Sequence, residues 1–276
     1  VRNVDAKISQ SAKDEPMGSA YCCAMSADGR YIVGTFEDRK LRVWTRRNMR
    51  KVFSQDSLRG LIRSCAMSGD GRLVIAGSME NNLIRVWDLM FGRELVTFNV
   101  TKTSHLHWGP TSSLDEVFRC DVNMDGSILV SAFLLNTLHV WDVINKRLLF
   151  SFEGKRGFVI GCAISDDGKV VAGGYDDGTI RLWNTQTGKI IQTIQAHQEE
   201  IYACAINSDN RIIVTASSDK TVKVFNIQTG AEIATFSGHT DRVLGCDIDS
   251  TGQIIVSVSW DNTVCGIQLR RNVLQC

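Results

Sequence analysis

Short runs in which every second side chain is apolar recur along the chain, as in IYACAIN at 201–207, RIIVTAS at 211–217 and TVKVFNI at 221–227. Each is rich in β-branched residues and bounded by turn residues, so the pattern predicts strands and not helices. Asp28-Gly29, Asp70-Gly71, Asp125-Gly126 and Asp167-Gly168 each separate two such runs. Asp-Gly supplies the positive φ angles that a tight hairpin turn requires, and Asp209-Asn210 and Thr251-Gly252 read as variants of it. A second turn, with Gly92, Gly188 or Gly230, precedes a fourth run in FGREL, TGKII and TGAEI. The predicted unit is therefore a four-stranded antiparallel meander.

This unit repeats. Copies open at Cys23 (CAMSADG), Cys65 (CAMSGDG), Cys120 (CDVNMDG), Cys162 (CAISDDG), Cys204 (CAINSDN) and Cys246 (CDIDSTG), at spacings of 42, 55, 42, 42 and 42 residues. A period this regular predicts a stacked or circular repeat architecture. The six cysteines hold one position on the first strand of every unit, where a small, apolar side chain suits burial. Equivalent positions in neighbouring units are expected to lie too far apart for a disulfide. Cys22, Cys265 and Cys276 have no nominated partner, and nine free thiols suit a reducing compartment.

The segments RVWD at 85–88, HVWD at 139–142, RLWN at 181–184 and KVFN at 223–226, with GH at 238–239 and AH at 196–197, are similar to WD repeats. The resemblance covers residues 19–276 and implies an all-β fold: a single β-propeller of four-stranded antiparallel blades. Six blades are expected, with seven as the alternative, at about 19–55, 60–100, 115–153, 157–195, 199–237 and 241–276. Residues 1–18 would supply a strand, VDAKISQ at 4–10, that closes the ring, and 101–116 form an inserted loop. The end copies are the least typical, with RVWT at 42–45 and CGIQ at 265–268.

WD repeats often hold a buried chain of Trp, Ser/Thr, His and Asp, and the resemblance assigns fragments of it here. His197, Thr215 and Asp219 fall at its positions in the fifth unit, with Phe225 in the Trp place. His239, Ser257 and Asp261 do so in the sixth, with Ile267 in the Trp place. Asp38 and Asp177 keep the acid in the first and fourth, while Pro16 and Lys155 stand at the His position and Gly34 and Gly173 at that of Ser/Thr. A structural role is expected, and no enzyme activity. WNTQTGKI at 183–190 departs from a phosphate-binding loop at Trp183 and Ile190 and reads as a hairpin turn. His105 and His107 lack companions for a metal site, so no metal and no cofactor are expected.

With 43% apolar and 22% charged residues, the 276-residue chain can bury a substantial core. A net charge of +1 gives no overall bias toward nucleic acid or anionic membranes. No apolar run is long enough to span a membrane, no signal peptide precedes the first unit, and a cytoplasmic or nuclear monomeric domain is expected. The start at Val1 suggests a piece of a longer regulatory or signalling protein. These features favour a non-catalytic scaffold that binds a protein or peptide on its top face, where loops between blades meet turns between second and third strands. Tyr21, Arg63, Phe118, Ile160, Tyr202 and Leu244 share one register there, neighbouring turns offer Phe36, Phe133, Tyr175 and Trp260, and the insertion adds Trp108. No small-molecule substrate is expected. The alternative is a phosphoinositide- or nucleic-acid-binding surface on the bottom face, built from Arg46, Arg47, Arg50, Lys51, Arg270 and Arg271.

Overall fold

The computed structural model describes residues 18–55, 60–78, 82–99, 117–133, 137–153 and 157–269. Among them every regular element is a β-strand, and no helix is long and apolar enough to cross a membrane. The architecture is all-β, a six-bladed β-propeller whose blades fall three to each of two compact units divided between Phe152 and Glu153. The predicted N-terminal strand and the insertion at 101–116 lie outside the described residues.

The first unit holds three blades, each a four-stranded antiparallel meander. They are β1 (Ala20–Met25), β2 (Tyr31–Phe36), β3 (Leu41–Thr45) and β4 (Lys51–Gln55); β5 (Ile62–Met67), β6 (Leu73–Ser78), β7 (Leu83–Asp88) and β8 (Arg93–Asn99); and β9 (Val117–Val122), β10 (Ile128–Phe133), β11 (Thr137–Asp142) and β12 (Arg147–Glu153). Its core lies between sheets. Val33, Val43, Ile62, Met67 and Trp87 form one layer between the first two blades, and Ile75, Val86, Phe98, Val117 and Trp141 form another between the second and third.

The second unit repeats the arrangement with β13 (Val159–Ile164), β14 (Val170–Tyr175), β15 (Thr179–Asn184) and β16 (Ile190–Gln195); β17 (Ile201–Ile206), β18 (Ile212–Ser217), β19 (Thr221–Asn226) and β20 (Glu232–Ser237); and β21 (Val243–Ile248), β22 (Ile254–Ser259) and β23 (Val264–Gln268). The sixth blade has three strands among the described residues. Packed layers again fill the spaces between blades, with Ala172, Ile180, Leu182, Ile201 and Phe225 in one and Val214, Val224, Val243 and Ile255 in the next. Alternation along each strand gives both faces of a central sheet something apolar to bury, which is why period two becomes a stack of sheets.

The turn after each inner strand differs in one respect from the tight two-residue hairpin expected. Gly168 has φ of 70°, yet Asp167 does not share it. Ser165 and Val170 close a longer loop, in which the Gly168 N–H reaches the Ser165 carbonyl at 2.9 Å. Asp167 acts through its side chain, accepting from Ser165 Oγ at 2.8 Å and from the Lys169 N–H at 3.0 Å. Burial pushes that carboxyl up, and these bonds outweigh it and hold it down at about 2. In the fifth blade Asn210 takes the left-handed position with φ of 60°.

Of the inner-strand cysteines, Cys65, Cys120, Cys162 and Cys204 are buried and Cys246 partly so. Cys23 is the exception and is exposed. The side chains of Cys120, Cys204 and Cys246 turn toward the preceding blade of their unit.

Candidate partner-binding rim

In all six blades the first strand carries a β-bulge at its start. Ala20 and Cys22 face consecutive residues Phe36 and Thr35, Ile62 and Ser64 face Ser78 and Gly77, and Ile201 and Ala203 face Ser217 and Ala216. The same shift occurs at Val117, at Val159 and Gly161, and at Val243 and Gly245. The residue left unpaired is Tyr21, Arg63, Phe118, Ile160, Tyr202 or Leu244, the register singled out from sequence. A bulge bends its strand and re-aims one side chain, a device for presenting groups beside a site.

The bulges sit where strand-entry loops meet the turns between second and third strands. Glu37 N–H bonds the Ser19 carbonyl at 2.9 Å, Ser218 that of Glu200 at 2.9 Å, and Trp260 that of Arg242 at 3.0 Å. In the second unit this rim gathers Tyr202 and Trp260 around Arg242, whose Nη1 donates to Tyr202 Oη at 3.1 Å. The Arg242 guanidinium also lies over the Trp260 ring, 5.6 Å from its centroid, while Trp260 remains 58% exposed. In the first unit the exposed Arg63 lies over the Phe118 ring at 5.2 Å, and Tyr21 is exposed. Trp108 falls outside the described residues. Arg242 and the exposed Phe158 escaped the reading of the sequence, although both stand two positions before the chosen register.

Four of the expected rim residues belong elsewhere. Tyr175 and Phe133 are fully buried, Phe36 is partly buried and Ile160 is buried. For Tyr175 and Phe36 the physical reason lies two residues back on the strand. A Cβ at Gly173 would stand 3.3 Å from the Tyr175 ring and 3.4 Å from Trp183, and one at Gly34 would stand 3.1 Å from Phe36 and 3.4 Å from Trp44. Glycine at the Ser/Thr position thus opens a slot that the aromatic ring folds back to fill. A guanidinium covers each ring, Arg181 at 4.3 Å from the Tyr175 centroid and Arg42 at 5.4 Å from that of Phe36. Phe133 packs instead on His139, with centroids 4.8 Å apart.

The hydrogen-bonded fragments lie in three blades. His197 Nδ1 is 2.8 Å from Asp219 Oδ2, and its Nε2 is 2.8 Å from Thr215 Oγ1. His239 repeats this with Asp261 and Ser257, both at 2.9 Å. A carboxylate only accepts, so Nδ1 carries the proton and Nε2 accepts from the hydroxyl. Burial pushes the Asp219 carboxyl up, but bonds from His197 and Thr221 prevail and hold it far below the usual carboxylate range. For Asp261 the Thr263 hydroxyl leads in the same direction. The third blade holds the complementary part, Trp141 Nε1 donating to Ser131 Oγ at 2.8 Å. Thr215 and Ser257 are buried, so neither hydroxyl meets a surface that a substrate could reach. These groups tie strands together.

At the opposite end of the first blade, Arg46, Arg47, Arg50 and Lys51 are exposed around the turn between β3 and β4. The Arg46 N–H bonds the Arg30 carbonyl at 2.8 Å, which places this turn beside the one between β1 and β2. Arg270 and Arg271 lie outside the described residues, as do His105, His107, Pro16 and Lys155. Among the described residues no group of His, Cys, Asp and Glu is arranged to hold a metal ion.

A family model of the WD domain, G-beta repeat, matches the chain at residues 16–45, 50–88, 146–184, 188–226 and 230–265, more than half of its length. Strands β9 to β11 of the third blade fall outside these matches, although they form the same sheet as their counterparts. A search of curated proteins finds no match.

Proposed function

The chain belongs to the WD-repeat family, and from that premise we propose that it is a non-catalytic scaffold which binds a protein or peptide partner at the bulged rim. The observation that carries this reading is the bulge itself, present at one register in every blade and occupied by Tyr21, Arg63, Phe118 and Tyr202 in four of them. Aromatic rings and guanidinium groups bury much area with few rotatable bonds, and they dominate binding hot spots. The Tyr202–Arg242–Trp260 group adds pre-organisation, because Arg242 is already held by Tyr202 and stacked on Trp260. Its remaining N–H donors suit a carbonyl or carboxylate beside an apolar anchor side chain.

Selection of binding peptides from a displayed random library, on the full chain, tests this proposal. Trp260→Ala and Arg242→Ala are expected to weaken the selected peptides at least tenfold, about 1.4 kcal/mol each. Arg46→Glu with Arg47→Glu, at the other end of the first blade, should leave them unchanged. Peptides insensitive to the rim variants and lost with the arginine reversals would move the site to the basic turn.

A further inference from the structure

The contacts between blades pair specific positions. The inner-strand cysteine of one blade looks back at its predecessor: a Cβ at Gly77 would lie 3.9 Å from Cys120 Sγ, and one at Gly174 would lie 3.0 Å from Cys204 Sγ. The residue just before each such cysteine points the other way, because successive strand residues alternate in direction. Ser64 accordingly meets the cysteine of the following blade, with its Oγ 3.2 Å from Cys120 Sγ. In the first blade this forward-pointing position is Cys22, opposite Thr35 as Ser64 is opposite Gly77.

Its counterpart is Cys65. The Cys22 thiol reaches the Cys65 carbonyl at 3.5 Å, and both side chains pack in the layer between the first two blades. We propose that Cys22 and Cys65 are a redox pair, which hydrogen peroxide or an organic hydroperoxide converts to a disulfide joining the first two blades.

The two sulfurs differ in access and acidity. Cys22 is partly exposed, whereas Cys65 is buried. The neighbouring Cys65 thiol pulls Cys22 well below the usual thiol range against the opposing effect of burial, and the positive charge of Arg119 assists. Cys65 moves up, because Cys22 stands beside it and it is desolvated, so it holds its proton. Thiolate character and access together decide which cysteine reacts first. Cys22 thiolate attacks the terminal peroxide oxygen, the O–O bond breaks, and hydroxide (from an organic hydroperoxide, the alkoxide) leaves to take up the proton released by the thiol. Cys65 sulfur then attacks the Cys22 sulfenic acid, the S–O bond breaks, and water leaves with the Cys65 proton. Two thiols lose two electrons to one peroxide. Cys23 points from the opposite face of the strand and is not the partner.

Peptide mass spectrometry of the full chain tests the pair: exposure to hydrogen peroxide, alkylation of free thiols, and tryptic digestion without reduction. The wild-type protein is expected to yield peptide 14–30 joined to peptide 64–72, and dithiothreitol should separate them. Cys22→Ser should abolish the joined species and Cys23→Ser should retain it. Iodoacetamide at neutral pH should label Cys22 at least tenfold faster than Cys65. A wild-type digest with Cys22 oxidised to sulfinic acid and no joined peptide would overturn the proposal, as would a joined peptide that survives Cys22→Ser. The wild-type result stands whether or not either variant folds.

Discussion

His197 and Asp219 are 22 residues apart in sequence and share a 2.8 Å hydrogen bond that joins the entry to the fifth blade to the turn after its second strand. The bond continues through Nε2 to Thr215, so three segments of one blade meet on a single buried ring. His197→Ala and Asp219→Ala are each expected to destabilise the protein by about 1–3 kcal/mol, since each leaves a buried partner unsatisfied. Chemical denaturation of both variants and the double variant should give losses that do not add. Additive losses would mean that the two residues act separately.

Trp141 and Ser131 supply a second cycle. Trp141→Phe keeps the ring in the layer between the second and third blades but strands the buried Ser131 hydroxyl, at a cost of about 1–2 kcal/mol. Ser131→Ala introduced on that background should cost almost nothing further. A full additional loss would show that the hydroxyl has a more important partner than the indole.

His139 predicts a pH effect. It stands at the strand position held by Arg42, Arg85, Arg181 and Lys223 in other blades, but it is buried against Phe133 and Trp141, and its Nδ1 has no hydrogen-bond partner among the described residues. Burial pushes its pKa down from an ordinary 6.5 to about 4. The folded state therefore favours the neutral ring. Its contribution is complete above pH 6.5 and is lost as pH falls toward 4, where the unfolded chain takes up a proton that the folded one refuses. The full effect is about 3 kcal/mol. His139→Leu should remove that slope from a stability curve measured between pH 7 and 4, and an unchanged slope would assign it to other groups.

Gly173 tests the origin of the buried aromatic slot. Gly173→Thr restores the residue type of the hydrogen-bonded blades but drives its Cβ against Tyr175 and Trp183. A loss of about 1–3 kcal/mol in thermal or denaturant unfolding is expected, as for other overpacked sites. Unchanged stability would mean that Tyr175 leaves the slot at little cost.

Much of the architecture was legible because it is local. Period-two patterning, Asp-Gly punctuation and a 42-residue spacing act over a few residues at a time, so they identify strands, turns and repeats without reference to the packed molecule. The residues His197, Thr215 and Asp219 could likewise be assigned through family resemblance before their distances were known. The direction of a side chain at a bulge was beyond that reach, because an extra residue in one strand is defined only against the register of its partner. Tyr21, Arg63 and Tyr202 could be seen to share a position, but not that they share a break in pairing.

Tertiary structure also separated residues that stand one position apart in the repeat. Tyr175 and Trp260 both stand near the turn after a second strand, yet Tyr175 folds into the slot left by Gly173, while Trp260 stays outside under Arg242. Cys22 and Cys23 are adjacent, but alternation across the strand sends Cys22 to Cys65 and Cys23 to the other face. The sequence by itself determined the strands, the repeat and the family, since each rests on short-range pattern. Burial and partnership were decided only by packing, because they depend on what a neighbouring strand or blade leaves open.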